Sequence, residues 1–365
     1  MKIYTVTFLN NNYGSILQAF ALQSRLKEFG AKPCILQKKT SASHSKCYRK
    51  LSGFLHLFKP KENYSFIKKC YMFFDGNKFQ GKYVKIDAFV KNNITAYTID
   101  DERSFLSEIT NEDFFLAGSD QVWNCCNPVS PWYSLKWVKG NNNKYSYAAS
   151  IAKSALTDNQ IKSYKTALVE FKYISLREKH AFDLLEKEFS NQIRQDVDPT
   201  LLYDGSFWKK IASPRLIKEP YIFVYRLRPN DDIFQLAKKI AHEKGCKIYY
   251  TGLCGAHTKG VHTIYDAGVE DFLSLILHSE LVLTNSFHGS VFSILFEKPF
   301  LSVNIASSGS RIESLLDKLN LTKQLVNNID EGYSLEIDYS KAKEILVRER
   351  CRSLEYLKSI CERRI

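Results

Sequence analysis

The sequence predicts an α/β protein built on doubly wound parallel sheets, and three observations carry that prediction. A strand-type run at residues 2–8 is followed by a polar turn, a helical stripe and a second strand-type run at 31–37. The same order recurs far down the chain. There an apolar run at 281–283 meets Thr284-Asn285-Ser286, and apolar residues resume at helical spacing as Val291, Ile294 and Leu295. Finally, 365 residues that are 44% hydrophobic and 13% aromatic suffice for two such units, each with its own core.

In the opening unit Ile16, Leu17, Phe20, Ala21, Leu26 and Phe29 form the helical stripe. Asn12 or Ser15 caps its start and Gly30 closes it. Its ligand edge is expected at residues 10–15, although the G-x-G-x-x-G dinucleotide fingerprint is absent. Residues 38–93 form a basic, aromatic insertion: thirteen Lys and Arg against three acids between Lys38 and Lys91 hold +10 of the net +13. This is either a solvated insertion or a surface for an anionic partner, and its short amphipathic spacing permits a peripheral membrane contact.

An apolar strand at 113–117 ends in Gly118-Ser119-Asp120. Asp120 is there either a turn residue or a carboxylate that acts as acid or base, or anchors a substrate hydroxyl. A strand at 144–152, a helix at 158–170, a strand at 173–179 and a helix at 178–189 follow. Arg177 at that strand's end is suited to clamp a carboxylate or phosphate, or pairs locally with Glu178. Residues 196–204 read as the passage between domains, with Asp198-Pro199 as a turn. The second unit restarts with strands at 221–225 and 247–251 and helices at 231–244 and 269–278. Beyond the central strand–turn–helix come a strand at 300–304, a polar loop at 307–311, a helix at 312–319 and a long charged helix from 340.

His288 and Gly289 stand at the mouth of the helix after Ser286. Unpaired N–H groups and partial positive charge suit that place to a phosphate or carboxylate, and Gly289 would let a ligand approach the backbone. His288 either donates to an anion or moves a proton, or only caps its own helix or hydrogen-bonds a neighbouring carbonyl.

No stretch reaches the length of a membrane span, since the most apolar region, 272–283, is broken by His278, Ser279 and Glu280. The N-terminus lacks the apolar core of a signal peptide, so a cytoplasmic location is expected. Nine scattered cysteines without C-x-x-C read as reduced thiols, with neither a disulfide framework nor zinc spacing. No internal repeat is visible.

Several stretches together resemble the polysaccharide pyruvyl transferase family. They are Asn12-Tyr-Gly-Ser-Ile-Leu-Gln-Ala-Phe-Ala-Leu-Gln23, Ala117-Gly-Ser-Asp-Gln-Val-Trp-Asn124, Ile174-Ser-Leu-Arg-Glu-Lys179, Asp198-Pro-Thr-Leu-Leu202, Thr284-Asn-Ser-Phe-His-Gly289 and Ser310-Arg311. They fall in the family's order over residues 1–321, and the basic segment is the poor match. The resemblance implies two Rossmann-like domains facing across a GT-B-like cleft. Their expected bounds are 1–200, containing the insertion, and 201–339, with a helix at 340–365 packing back on the first.

It further implies transfer of the pyruvate unit of phosphoenolpyruvate to two hydroxyls of a sugar, giving a pyruvate ketal and phosphate, with no metal or cofactor. The sugar belongs to a polysaccharide repeat unit or cell-surface glycan, lipid-linked or free. Arg177 and His288 are family-like donor positions and Arg311 is a second anion candidate; Arg226 and Arg228 rest only on their place after a strand. Asn285, Ser286, Phe287 and Gly289 surround His288, while Asn12, Tyr13 and Gly14, and Ser119 and Gln121 beside Asp120, complete the substrate-binding set. His288 is expected to supply or orient the general acid and Asp120 to assist the incoming hydroxyl. The expected partners are donor and acceptor, with membrane contact at the inner face of the plasma membrane through the basic segment and no nucleic acid. The alternatives are a GT-B nucleotide-sugar glycosyltransferase and a non-catalytic polyanion- or glycan-binding protein.

Overall fold

The computed structural model describes residues 1–38, 77–124, 129–141, 143–189, 192–228, 230–304, 310–330 and 332–364. Strands β1 (Lys2–Val6), β2 (Lys32–Lys38), β3 (Ala96–Ile99), β4 (Phe114–Ala117) and β5 (Lys144–Ser146) form one sheet, ordered β3-β2-β1-β4-β5. The second sheet holds β8 (Tyr221–Arg226), β9 (Lys247–Gly252), β10 (Val261–Thr263), β11 (Leu281–Thr284), β12 (Phe300–Val303) and β13 (Leu325–Val326), ordered β10-β9-β8-β11-β12-β13. Every pairing in both sheets is parallel. A short pair, β6 (Ile174–Leu176) with β7 (Ile193–Gln195), continues the first sheet through the bridges Tyr145–Tyr173 and Ala149–Leu176. The fold is thus the α/β class with parallel sheets that the strand–helix alternation predicts.

Strands covered on both faces must be apolar throughout, and β4 (Phe-Phe-Leu-Ala) and β11 (Leu-Val-Leu-Thr) are buried at all four positions. Strand order reverses between β1 and β4 and again between β8 and β11. Crevices at such switch points, outside the carboxyl ends of the strands, are where open α/β sheets hold ligands. Residues 7–14, 118–121, 227–228 and 285–288 follow those four strands, so most of the candidates from the sequence lie at the two switch points.

Two elements tie the sheets together. Helix Gln80–Asn93 buries Ile86 and Phe89 in the main core, while its Lys85 donates to Asp271 beside the second sheet at 2.8 Å. Helix Ser340–Cys361 returns to the first sheet, where Tyr356 donates to the Ser146 carbonyl at 3.0 Å and Arg350 to the Leu201 carbonyl at 2.8 Å.

The expected strand at 144–152 stops at Ser146, because Ala148 and Ala152 take left-handed backbone conformations (φ 44° and 54°) that an extended ladder cannot contain. The Asp198-Pro199 turn is the start of a short 3₁₀ helix, Pro199–Leu202. Most of the basic insertion, 39–76, and the membrane contact expected of it lie outside the described residues. Among the described residues no helix is long and apolar enough to cross a membrane.

Candidate active site

The site forms where the two carboxyl edges face each other. Arg177 leaves β6 fully buried. Its Nη1 donates to Asp198 Oδ2 at 2.7 Å, its Nε to Glu178 Oε1 at 3.2 Å, and its Nη2 lies 4.0 Å from Asp120 Oδ1. The guanidinium carbon stands 4.2 Å over the Phe287 ring. Burial works against this charge, but Glu178, Asp198 and Asp120 outweigh it and hold its pKa above the ordinary value. Three carboxylates therefore neutralise the arginine that the sequence marks as an anion clamp.

Asp198 divides its two oxygens. Oδ1 accepts from the Thr200 amide (3.0 Å) and hydroxyl (2.7 Å), fixing the 3₁₀ turn. Oδ2 takes Arg177 and lies 3.5 Å from His288 Nε2. Burial raises its pKa, yet His288 and Arg177 pull harder the other way, and the carboxyl is held well below the usual carboxylate range. Asp198, which the sequence offers as a turn residue, is the missed member of the site. Its membership in the Asp198-Pro-Thr-Leu-Leu202 stretch was the available signal.

His288 is the second residue of helix Phe287–Leu295, whose cap Ser286 accepts from the Gly289 amide at 3.4 Å. The cap is therefore Ser286 and not the histidine. His288 is 6% exposed, and its Nε2 is buried without a hydrogen-bond partner. Gly14, from the other half, meets the imidazole so closely that a Cβ there would fall 2.1 Å from Nδ1.

Arg311 is the second residue of helix Ser310–Lys318. With the Gln121 amide turned so that its oxygen faces the guanidinium, that oxygen accepts from Arg311 Nη1 at 2.6 Å and Nη2 at 2.9 Å. Arg311 Nε is buried without a partner, and among the described residues no carboxylate lies within 4.0 Å of this side chain. Burial, reinforced by Arg177, pushes the guanidinium down to about 10. Arg177, Asp198, Phe287, Arg311 and Lys318 line a narrow cleft whose enclosed volume is about 30 Å³.

Asp120 sits at the end of β4 with φ 65°, held by a hydrogen bond from the Ser150 amide to its carbonyl (2.9 Å). Its carboxylate, 15% exposed, has Arg177 as its nearest cation.

Other candidates build the scaffold. Asn285 accepts from the Leu227 amide (2.9 Å) and donates to the Arg228 carbonyl (2.8 Å), pinning the loop after β8. A Cβ on Gly289 would meet Thr284 Oγ1 at 2.3 Å, so this glycine serves helix–strand contact and not the ligand approach expected of it. Asn12 caps the first helix through the Gly14 amide (2.9 Å), and Tyr13 is fully buried with its hydroxyl on the Ala267 carbonyl (2.7 Å). Ser119 donates to the Ala148 carbonyl (2.7 Å). Arg226 pairs with Asp231 (3.2 Å) over the Phe234 ring, and the Arg228 amide and carbonyl both bond to Asn285.

The family model described as polysaccharide pyruvyl transferase matches residues 12–307 of this chain. No curated protein matches it. Among solved structures, the Staphylococcus aureus MnaA–UDP co-structure aligns over 97% of this chain and 90% of its own at 13% identity, with a TM-score of 0.52. Arabidopsis thaliana UGT89C1 complexed with UDP aligns over 99% of both chains at 12% identity, also with a TM-score of 0.52. At these identities the likeness shows a shared fold, the GT-B-like arrangement.

Proposed function

The chain belongs to the polysaccharide pyruvyl transferase family, and from that premise we propose that it transfers the pyruvate unit of phosphoenolpyruvate to two hydroxyls of one sugar. The observation that carries this reading is Arg311: a buried guanidinium at the cleft, held by one neutral amide and lacking a carboxylate partner among the described residues. A small dianionic or trianionic donor supplies what this arginine lacks. The amides of Phe287 and His288, first in their helix, have no acceptor among the described residues and add a second anion-binding group.

Two C–O bonds form at C2 of the donor, its bond to the phosphate oxygen breaks, and C3 gains a proton to become a methyl group. One acceptor hydroxyl proton thereby replaces the proton given to C3 and the other leaves with phosphate, so the reaction balances with phosphoenolpyruvate as sole donor. His288 holds the proton for C3, and Asp198 stabilises the imidazolium at 3.5 Å. Asp120 takes the proton of the incoming hydroxyl. Arg177 holds Asp198 by a hydrogen bond at 2.7 Å and so orients the carboxylate that faces His288.

Phosphate release from phosphoenolpyruvate by the purified protein tests the reading, with a panel of free and lipid-linked oligosaccharides as acceptors. Acceptor-dependent release, with a mass gain of a pyruvate less one water on the glycan, is the expected result. Preferential binding of a uridine or guanosine diphosphate sugar, with no phosphoenolpyruvate binding, would overturn it.

A further inference from the structure

Helix Gln80–Asn93 carries an ion that the proposed chemistry does not use. Lys82 is 4% exposed; its ammonium donates to the Gly252 carbonyl at the end of β9 (3.2 Å) and stands 4.3 Å over the Tyr13 ring and 5.6 Å over the Phe79 ring. Among the described residues no carboxylate lies within 4.0 Å of it. A buried ammonium without a counter-charge is costly, and only the carbonyl and the two ring faces replace part of its lost hydration.

What those contacts hold is informative. The Tyr13 hydroxyl donates to the Ala267 carbonyl and its ring stacks on Phe272 at 4.6 Å, so this residue of the first half is embedded in the second. The next residue, Gly14, is the one that touches the imidazole of His288. We propose that Lys82 is a positioning residue: by clasping Tyr13 against the end of β9 it fixes the Gly14 backbone, and that backbone sets the orientation of His288. The kinetic consequence rests on the pyruvyl-transfer reading; the contact between clasp and imidazole does not.

Lys82→Met tests it, because methionine keeps the apolar stem and removes the ammonium. Helix Gln80–Asn93 stays docked in this variant through Lys85, which pairs with Asp271 at 2.8 Å. The expected result is a folded protein whose His288 imidazole resonances, assigned by comparison with His288→Gln in ¹H–¹³C spectra, are displaced from wild type. Its kcat for phosphate release should fall about tenfold or more, while KM for phosphoenolpyruvate stays within about twofold. Unmoved His288 resonances in folded Lys82→Met would overturn the proposal, as would a kcat loss that only follows a loss of melting temperature. Should the wild type release no phosphate, the pyruvyl-transfer reading fails, and the resonances still decide the clasp.

Discussion

Two arginines of this site have the same side chain and opposite surroundings, and substitution should separate them. Removing Arg177 leaves Asp198 and Glu178, both fully buried, without their cation, a change of about 3–5 kcal/mol against folding. Arg177→Ala is therefore expected to lower the melting temperature sharply. Arg311→Ala should leave it nearly unchanged, since its loss strands no carboxylate, yet weaken phosphoenolpyruvate binding roughly tenfold to a hundredfold. Calorimetry on both variants decides this: equal binding by Arg311→Ala and wild type would remove the anion role. The sequence put Arg177 first and Arg311 second, and it could not show that Arg177 is engaged by Asp198, 21 positions further on. Parallel pairing of β6 and β7 sets Leu176 opposite Gln195, so Arg177 and Asp198 emerge at the same edge. An Asp-Pro pair read alone says only turn.

Among elements, those with clear periodicity were legible: the opening strand–helix–strand, and β11 with its helix, whose apolar residues fix both type and burial. The strand expected to continue from β5 was not, since left-handed residues at Ala148 and Ala152 leave no mark in an apolar run. What no periodicity could show is that the first helix's N-terminus is placed to touch the ninth strand's neighbours and His288. Gly14 makes that encounter testable. Its Cβ would overlap the imidazole at 2.1 Å, so Gly14→Ala must displace either His288 or the helix start. We expect a folded variant with phosphate release reduced about a hundredfold or more; wild-type turnover would show that the imidazole need not sit where the glycine allows it.

At the scale of the molecule, charge was the quantity the sequence reported best by total and least by destination. The segment from Lys38 to Lys91 looked like a surface for an anion, yet Lys82 and Lys85 are engaged between the two halves, one buried against carbonyl and rings, the other on Asp271. Burial pushes the Lys82 ammonium down to about 8 from its ordinary 10.5. Its folded pKa is therefore depressed below the unfolded one. Below pH 8 both states hold the proton and the folded state bears the whole penalty, of order 3 kcal/mol. Between pH 8 and about 10.5 the unfolded chain binds more protons, so this lysine's effect on stability improves as pH rises. Buried tyrosines such as Tyr13, whose pKa burial raises, act in the opposite direction at the upper end of that range, so the wild-type curve alone mixes the two. The difference between wild type and Lys82→Met isolates the lysine. At pH 7 the variant should be as stable as wild type or more so, since the lost carbonyl and ring contacts offset only about 1–2 kcal/mol of the relieved penalty. That advantage should shrink steadily from pH 8 to 10 in denaturant titrations. Parallel curves over this interval would mean that the ammonium is not desolvated as the structure places it.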